Sequence, residues 1–468
     1  MNDKFCFEFN QDIPKYIQLY NHIKNLIEQG KVEEGEKLPS IRSLAEHLKV
    51  NTATIINCYY KLEQEGRIIQ KSGSGSYVKK RDDKRSFRKE YNNIMKNVIS
   101  DKGKYIDFTG ETFNGEFISV EAFKEVINEV IDRDGAEALI FREPQGYPGL
   151  RHSINTHYWN GELKEDNIII LSGAQQGIDI VTKALLNVND GVMIEKPTYT
   201  GALALFRLRR TNLLEVLVLN EIDFIALEAF IKKHKIKCFY VMSYFQNPTG
   251  HSYSLDEKLK LINLAEKYDF FILEDDYMSE IYFKENEVIS TFKDLDCYDR
   301  VIYLKSFSKI FMPGIRLGYM IVPDKYKEVL QNSKVNSDIA TSSLMQRVME
   351  LYIEKGYWKD FMDEVRVEYS NRYKYFIDYL TKHTSLVRFK EPNGGINLYL
   401  EILEPAKIDS MTLFRKCAEK EVYITPGFLF YKNSKDGDKY FRINFSQTSN
   451  EDIEKGMDII LGFIKNSI

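Results

Sequence analysis

The stretch that decides the fold is Ser306-Phe307-Ser308-Lys309, followed closely by Pro313-Gly314-Ile315-Arg316. The lysine comes just after an apolar run, residues 301–304, that reads as a buried strand. An amine condenses with an aldehyde to a Schiff base, and burial or a nearby cation lowers a lysine pKa enough for it to react. Ser306, Ser308 and Arg316 suit a phosphate dianion, the arginine through parallel charge-assisted hydrogen bonds. A phosphorylated aldehyde satisfies both halves. The cofactor with that chemistry is pyridoxal 5′-phosphate (PLP), whose ring nitrogen also needs a carboxylate partner. The same residues also make an ordinary basic surface loop, so the rest of the chain has to supply the missing parts.

Outward from this stretch, short apolar runs alternate with helical patterns. The strand candidates are 168–171, 192–194, 238–241, 270–273, 301–304 and 319–322, with helices such as 175–186 and 256–268 between them. Such alternation indicates an α/β fold with a mostly parallel sheet covered by helices, which binds ligands beyond the carboxyl ends of its strands. Several candidate residues fall there. In Glu274-Asp275-Asp276-Tyr277 a carboxylate can keep a pyridine nitrogen protonated; Asp275 is the first choice and Asp276 the second. Asn247, in Gln246-Asn247-Pro248-Thr249-Gly250, can donate to a phenolic oxygen with Tyr277 as a second donor, although this segment is also good turn chemistry. Ser172-Gly173-Ala174-Gln175 joins a strand to a helix whose first amides can approach a phosphate. Tyr199 can stack on the cofactor. Arg442, in a late strand candidate, can clamp a carboxylate or form a surface ion pair. Residues from about 350 onward read as a second, mixed α/β unit.

The first eighty residues have a different character. Pro14 opens a helix that Gly30 ends, and Ser40 caps a second with Ile41, Leu44, Ala45 and Leu48. Asn51 or Thr52 caps a third, with an apolar face of Ile55, Ile56, Tyr59, Tyr60 and Leu62 and a stop at Gly66. Residues 67–71 and 76–78 read as strands around Ser72-Gly73-Ser74-Gly75. Two short helices with a tight link and then a hairpin make a winged helix-turn-helix, whose second helix enters the major groove of DNA. Thr52, Ala53, Thr54, Asn57 and Lys61 lie at the leading end or outward face of that helix. Ser40 and Arg42, at the start of the preceding one, suit phosphates. The division expected is 1–79 for the helix-turn-helix, 80–104 for a polar linker that can be partly helical and 105–468 for the large unit.

The net charge of -4 over 468 residues excludes bulk affinity for nucleic acid. Residues 1–80 nevertheless hold 12 Lys/Arg against 10 Asp/Glu, and residues 81–104 hold 8 against 4, so the body that follows is acidic. The five scattered cysteines suggest neither a disulfide framework nor a metal site, and no run reaches membrane-spanning length, so a cytoplasmic protein is expected.

With these residues assembled, 105–468 resembles a fold-type I, class I/II aminotransferase: Asn247-Pro248-x-Gly250, Asp275, Ser306-x-Ser308-Lys309, Arg316 and Arg442 appear in that family's order. Residues 12–79 resemble the GntR-type winged helix through Pro14-x-Tyr16, Leu38-Pro39-Ser40-x-Arg42-x-Leu44-Ala45, Leu62-x-x-Glu65-Gly66 and Gly73-x-Gly75. Together they resemble the MocR subfamily of GntR regulators. The resemblance implies that Lys309 carries PLP as a Schiff base, that Asp275 pairs with the ring nitrogen, and that Asn247 and Tyr277 contact the phenolic oxygen. It implies that Ser306, Ser308, Arg316 and the Ala174 and Gln175 amides hold the phosphate, and that Gly73 and Gly75 shape the wing. It further implies a homodimer that binds operator DNA and senses a small ligand; the ligand's identity does not transfer from the resemblance, and the candidates are PLP itself or an amino compound such as GABA or taurine. The alternative is a working aminotransferase with an appended helix-turn-helix. Three departures stand out: Asn51-Thr52-Ala53-Thr54 replaces the usual arginine near the start of the recognition helix, Glu111-Thr112-Phe113-Asn114-Gly115-Glu116-Phe117-Ile118 lacks the proline-rich form often seen at the substrate entrance, and Glu143 replaces aspartate before Pro144-Gln145-Gly146-Tyr147.

Overall fold

The computed structural model describes residues 3–5, 7, 9–10, 13–28, 31–32, 35–64, 67–71, 74–78, 83–100, 105–110, 115, 117–140, 143–217, 222–283, 289–308, 311–338 and 340–468. Lys309, Gly73, Gly30 and Gly66 lie outside the described residues, as do 111–114 and 116. The chain divides into two units, Met1–Ser100 and Asp101–Ile468.

The first unit contains α1 (Lys15–Glu28), α2 (Ile41–His47), α3 (Thr52–Gln64), β1 (Ile68–Lys71), β2 (Gly75–Val78) and α4 (Asp83–Ser100). The hairpin is antiparallel, with Ile68 opposite Val78 and Lys71 opposite Gly75. Leu19, Tyr20 and Ile23 of α1 share one core with Leu44, Ala45, Ile55, Cys58, Tyr59, Leu62, Ile68 and Val78. Ser40 caps α2 by accepting from the Ser43 N–H at 3.2 Å, and Asn51 caps α3 by accepting from the Ala53 N–H at 2.9 Å. The Tyr59 hydroxyl donates to the Pro39 carbonyl at 2.8 Å and so ties α3 to the lead-in of α2.

Two expectations change here, and the linker takes the helical form. Ile56 and Tyr60 are exposed, because the core takes Ile55, Cys58, Tyr59 and Leu62, and the next residue on a helix lies about 100° round from its neighbour. The Lys61 ammonium sits 4.6 Å from the centre of the Tyr20 ring, so Lys61 lies against α1 rather than on the outward face. Most of the expected linker is the helix α4, on which Tyr91, Met95 and Val98 recur at helical spacing and are buried.

The second unit begins with β3 (Ile106–Asp107), α5 (Val120–Asp134) and α6 (Pro148–Trp159). There follow β4 (Ile168–Leu171), α7 (Ala174–Leu185), β5 (Gly191–Lys196), α8 (Thr200–Leu208), β6 (Asn212–Leu217), α9 (Phe224–Lys233), β7 (Ile236–Val241), α10 (Leu255–Lys267), β8 (Phe271–Asp276), β9 (Val301–Ser306) and β10 (Gly318–Ile321). These strands make one sheet in the order β4-β10-β9-β8-β7-β5-β6. Only β10 runs antiparallel. The edge strand β6 escapes a sequence reading because its residues are mostly half-exposed and carry no buried apolar run. Alternation along the strands divides the core. Leu171, Ile194, Tyr240, Leu273 and Leu304 pack with α7 and α8, whereas Met193, Phe239, Val241, Ile272 and Val301 pack with α9 and α10.

The chain then runs through α11 (Lys327–Ser337), α12 (Ser343–Glu354) and the long α13 (Tyr357–Leu380). A smaller part follows, with β11 (Val387–Phe389), β12 (Asn397–Ile402), α14 (Ser410–Ala418), β13 (Val422–Tyr423), β14 (Thr425–Pro426), β15 (Tyr440–Asn444) and α15 (Asn450–Lys465). Its antiparallel sheet has the order β11-β12-β15-β14, and β13 pairs in parallel with β3 near the start of the unit. No described helix is long and apolar enough to cross a membrane.

α7 lies tightly on the sheet at Gly177, where an added Cβ would come 2.5 Å from Leu304 Cδ2 and 2.8 Å from Leu171 Cδ1. Gly462 in α15 has nothing within 4 Å of the same position. Gly177→Ala is expected to destabilise the large unit by about 1–3 kcal/mol through overpacking. Gly462→Ala is expected to stabilise it by up to ~1 kcal/mol through helix propensity. Denaturant melts of the two variants beside wild type check the opposite signs.

Candidate functional site

The strand β8 ends in three consecutive carboxylates, all buried. Alternation separates their surroundings. Glu274 accepts from the Phe292 and Lys293 backbone N–H groups at 2.9 Å each. Asp276 accepts from the Ser279 hydroxyl (2.7 Å), the Tyr303 hydroxyl (2.6 Å) and the Lys305 ammonium (3.1 Å). Asp275 points to the other side, where its Oδ2 accepts from the Tyr240 hydroxyl at 2.6 Å. Its Oδ1 is buried and has no partner among the described residues. Burial pushes the Asp275 carboxyl up to about 6; the Tyr240 hydrogen bond and the Lys305 charge oppose that rise, and the Asp276 charge adds to it. Of the two candidates, Asp276 is thus fully engaged by the protein and Asp275 keeps one oxygen open.

A second feature forms at the end of β4. Gly173 adopts φ 107°, a conformation in which only glycine is at ease, and it leads into α7 at Ala174 and Gln175. Arg316, itself at φ 49°, donates from Nη2 to the Ser172 carbonyl at 2.9 Å. A Cβ on Gly173 would stand 3.1 Å from that same nitrogen. The start of α7 and the guanidinium therefore lie close together, and both suit an anion. Ser306, at the end of β9, is buried and opposite Gly318. Ser308 behaves differently from expectation. Its hydroxyl accepts from the Leu317 N–H at 2.9 Å and donates to the Leu317 carbonyl at 3.1 Å, which fastens the segment carrying Arg316. The Gln175 side chain donates to the Gly201 carbonyl at 3.2 Å.

The loop after β7 meets the smaller sheet. Arg442 of β15 is buried and donates from Nη1 to Asn247 Oδ1 at 2.9 Å. Its Nη2 donates to the Thr109 carbonyl and, at 3.0 Å, to the Thr425 hydroxyl, while its Nε has no partner among the described residues. The Tyr277 hydroxyl donates to the Phe245 carbonyl at 3.0 Å and accepts from Asn397 Nδ2 at 2.8 Å, so its proton is committed to the protein. Tyr199 precedes α8 and packs against the core around Tyr240.

Two contributors were not singled out in the sequence. Tyr240 sits within an apolar strand pattern and gives no local sign that it orients a carboxylate. Glu195 of β5 is fully buried, accepts from the Tyr253 hydroxyl (2.9 Å) and Gln246 Nε2 (3.2 Å), and is pushed up to about 8 by burial. It steadies the loop that carries Asn247.

In the first unit Arg42 and Gly75 are exposed, the latter at φ 115° in the wing. Thr52 and Asn57 are exposed on α3 and Thr54 is half-buried. The Ser40 hydroxyl is occupied by its cap.

Comparison with known proteins follows the same division. Residues 112–460 match the family model for aminotransferase class I and II, and residues 15–78 match that for bacterial regulatory proteins of the gntR family. An uncharacterised HTH-type transcriptional regulator of Bacillus subtilis, YcxD, is 26% identical over 464 residues, covering 96% of this chain and 100% of its own. The kynurenine aminotransferase of Pyrococcus horikoshii, solved in complex with PMP, superposes with TM-score 0.74 at 27% identity over 81% of this chain and 95% of that one. LysN, the alpha-aminoadipate aminotransferase of Thermus thermophilus, complexed with N-(5′-phosphopyridoxyl)-L-leucine, gives 0.72 at 26% identity over 80% and 94%. The cofactor of this fold is PLP. The open oxygen of Asp275 and the Gly173–Arg316 anion spot fit its ring nitrogen and its phosphate. The chain belongs to the aminotransferase class I and II family and carries that fold behind a gntR-family winged helix, the two-part arrangement of the MocR-type regulators.

Proposed function

We propose that this chain is a PLP-dependent, DNA-binding transcriptional regulator whose aminotransferase-like unit senses PLP or a small amino compound at Lys309. The observation that carries the reading is the presence, in one chain with a winged helix-turn-helix, of a buried carboxylate with an oxygen that no described protein group satisfies. PLP, when bound, supplies an aldehyde that condenses with amines and a ring that withdraws electrons.

In this reading Lys309 provides the resident amine, beside Ser306 and Ser308. Asp275 Oδ1, ionised, accepts a hydrogen bond from the protonated ring nitrogen and keeps it protonated, while Tyr240 holds Oδ2 in place. Arg316, Ser306 and the Ala174 and Gln175 amides take the phosphate, and Ser308 positions Arg316 through Leu317. Asn247, oriented by Arg442, donates to the phenolic oxygen. Tyr277 braces the Phe245 carbonyl on that side rather than giving up its proton, and Tyr199 packs against the ring. Arg442 presents its Nε, which no described group meets, to a ligand carboxylate.

In the first unit Arg42 holds a DNA phosphate, Thr52 and Asn57 reach base edges, and Gly73 and Gly75 bring the wing to the backbone, with the chain acting as a homodimer in the cytoplasm. For a ligand to change DNA affinity it must bind one conformation of the chain better than another, with a coupling of typically about 1–3 kcal/mol. A working aminotransferase is the second reading, favoured by the burial of Arg442 beside Asn247. Repeated turnover of an amino acid with a 2-oxo acid, without sequence-selective binding to the DNA upstream of its own gene, would decide for the enzyme.

Two outcomes are expected. Lys309→Ala removes the visible absorption band of protein-bound PLP and abolishes the change in DNA affinity on adding PLP or an amine. Retention of either one overturns the role given to Lys309.

The second concerns pH. Asp275 titrates near 6 when folded and near 4 when unfolded, so on its own it contributes stability at about pH 4 and below that is lost as pH rises to about 6. PLP needs the ionised form. Its affinity is therefore expected to weaken as pH falls below about 6. In Asp275→Asn the affinity is lower throughout and this part of the profile is flat. Spectroscopic titration of apo protein with PLP measures both, and an unchanged profile in the variant would contradict the assignment.

A further inference from the structure

One face of α3 carries a more specific statement, which rests on the DNA-binding reading above. Ala53, Ile56, Asn57 and Tyr60 recur along it at helical spacing and all are exposed, Ile56 by 49% and Tyr60 by 58%. The helix cannot turn to bury them, because its opposite face fills the core. Large apolar side chains gathered on one exposed face mark a contact surface. The face is also uncharged. The one basic residue of α3, Lys61, lies over Tyr20, and Glu63 accepts from the Gln70 N–H and Nε2 at 2.9 and 3.0 Å. Positive charge lies in the segments that lead into it: Arg42 at the start of α2 and Lys49 in the turn before α3 are both exposed.

An apolar, uncharged strip with exposed cations in the helix and turn before it is complementary to base edges lying beside a phosphate backbone. From Ala53 to Tyr60 the helix advances roughly 10 Å, about three base-pair steps. In the major groove guanine is read by Arg or Lys, adenine by Asn or Gln, and the thymine 5-methyl is the apolar group on display. This face of α3 holds no Arg or Lys. We propose that α3 reads a short A·T-rich element, in which Ala53, Ile56 and Tyr60 cover thymine methyl groups and Asn57 bonds an adenine edge, while Arg42 and Lys49 hold the adjoining phosphates.

The test uses the full-length chain and a random-sequence duplex library, followed by affinity measurements on the enriched site. The expected result is a half-site that is A·T-rich where α3 lies. Replacing one of its thymines by deoxyuridine, which removes only the methyl group, is expected to weaken binding on the order of fourfold. Ile56→Ala is expected to bind more weakly and to lose the sensitivity to methyl removal at one thymine. An enriched site that is guanine-rich there, or indifferent to methyl removal, overturns this proposal and leaves DNA binding standing. Failure to enrich any sequence overturns DNA binding itself. If Ile56→Ala and Tyr60→Ala instead change the oligomeric state and leave DNA affinity unchanged, the strip is a protein contact and the proposal falls.

Discussion

A carboxylate at the end of a fully buried strand, satisfied on one oxygen and open on the other, is an arrangement that folding alone does not favour. Transferring a charged group from water is costly unless it is paired, and an unsatisfied oxygen adds a desolvation penalty of about 1–3 kcal/mol or more. Asp275 has this arrangement: Tyr240 holds Oδ2, and no described group meets Oδ1. Burial raises the carboxyl to about 6, which makes its charge sensitive to whatever cation arrives. In the proposed reading a protonated ring nitrogen relieves that penalty, so the site is costly when empty and satisfied when loaded.

The surrounding structure holds that oxygen in place and supplies the other anchors. The parallel strands bring the ends of β4, β7, β8 and β9 to one side of the sheet, the arrangement in which ligands meet strand ends. Gly173 and Arg316 make the anion spot at β4. Arg442 reaches from the smaller sheet to Asn247 and to Thr109, and Asn397 meets Tyr277, so two sheets frame one site. Glu195 and Gln246 brace the loop between them. Arg442 is nearly satisfied by protein acceptors, so in the proposed reading a ligand carboxylate would have to compete with them. Such competition is how a ligand could favour one arrangement of the two sheets over another.

Much of this was legible in the sequence, and the exceptions have physical causes. The inner strands announce themselves as apolar runs because both faces are covered. Their edge neighbour β6 is half-exposed and does not. Asp275 and Arg442 were identifiable by type and order, but nothing local distinguishes a buried arginine from a surface one. Ser308 and Tyr277 had the right chemistry for the cofactor, and their hydroxyls turn out to serve Leu317 and Phe245, because a hydroxyl's partner depends on chain segments distant in sequence. Tyr240 was hidden inside its strand pattern. On α3 apolar residues fall on more than one face, and only the packing against α1 and α2 decides that Ile56 and Tyr60 face out while Lys61 turns in.

The same site chemistry suits an enzyme and a sensor, and the distinction lies in whether occupancy is coupled to DNA. Coupling is reciprocal: if PLP or an amine changes DNA affinity by some factor, DNA changes affinity for that ligand by the same factor. The most direct measurement is therefore the PLP affinity of the full-length chain with and without saturating DNA from its own upstream region. The account predicts a shift of several-fold, equal in size to the change in DNA affinity that PLP causes. Identical PLP affinities in the two conditions, with DNA demonstrably bound, would contradict it.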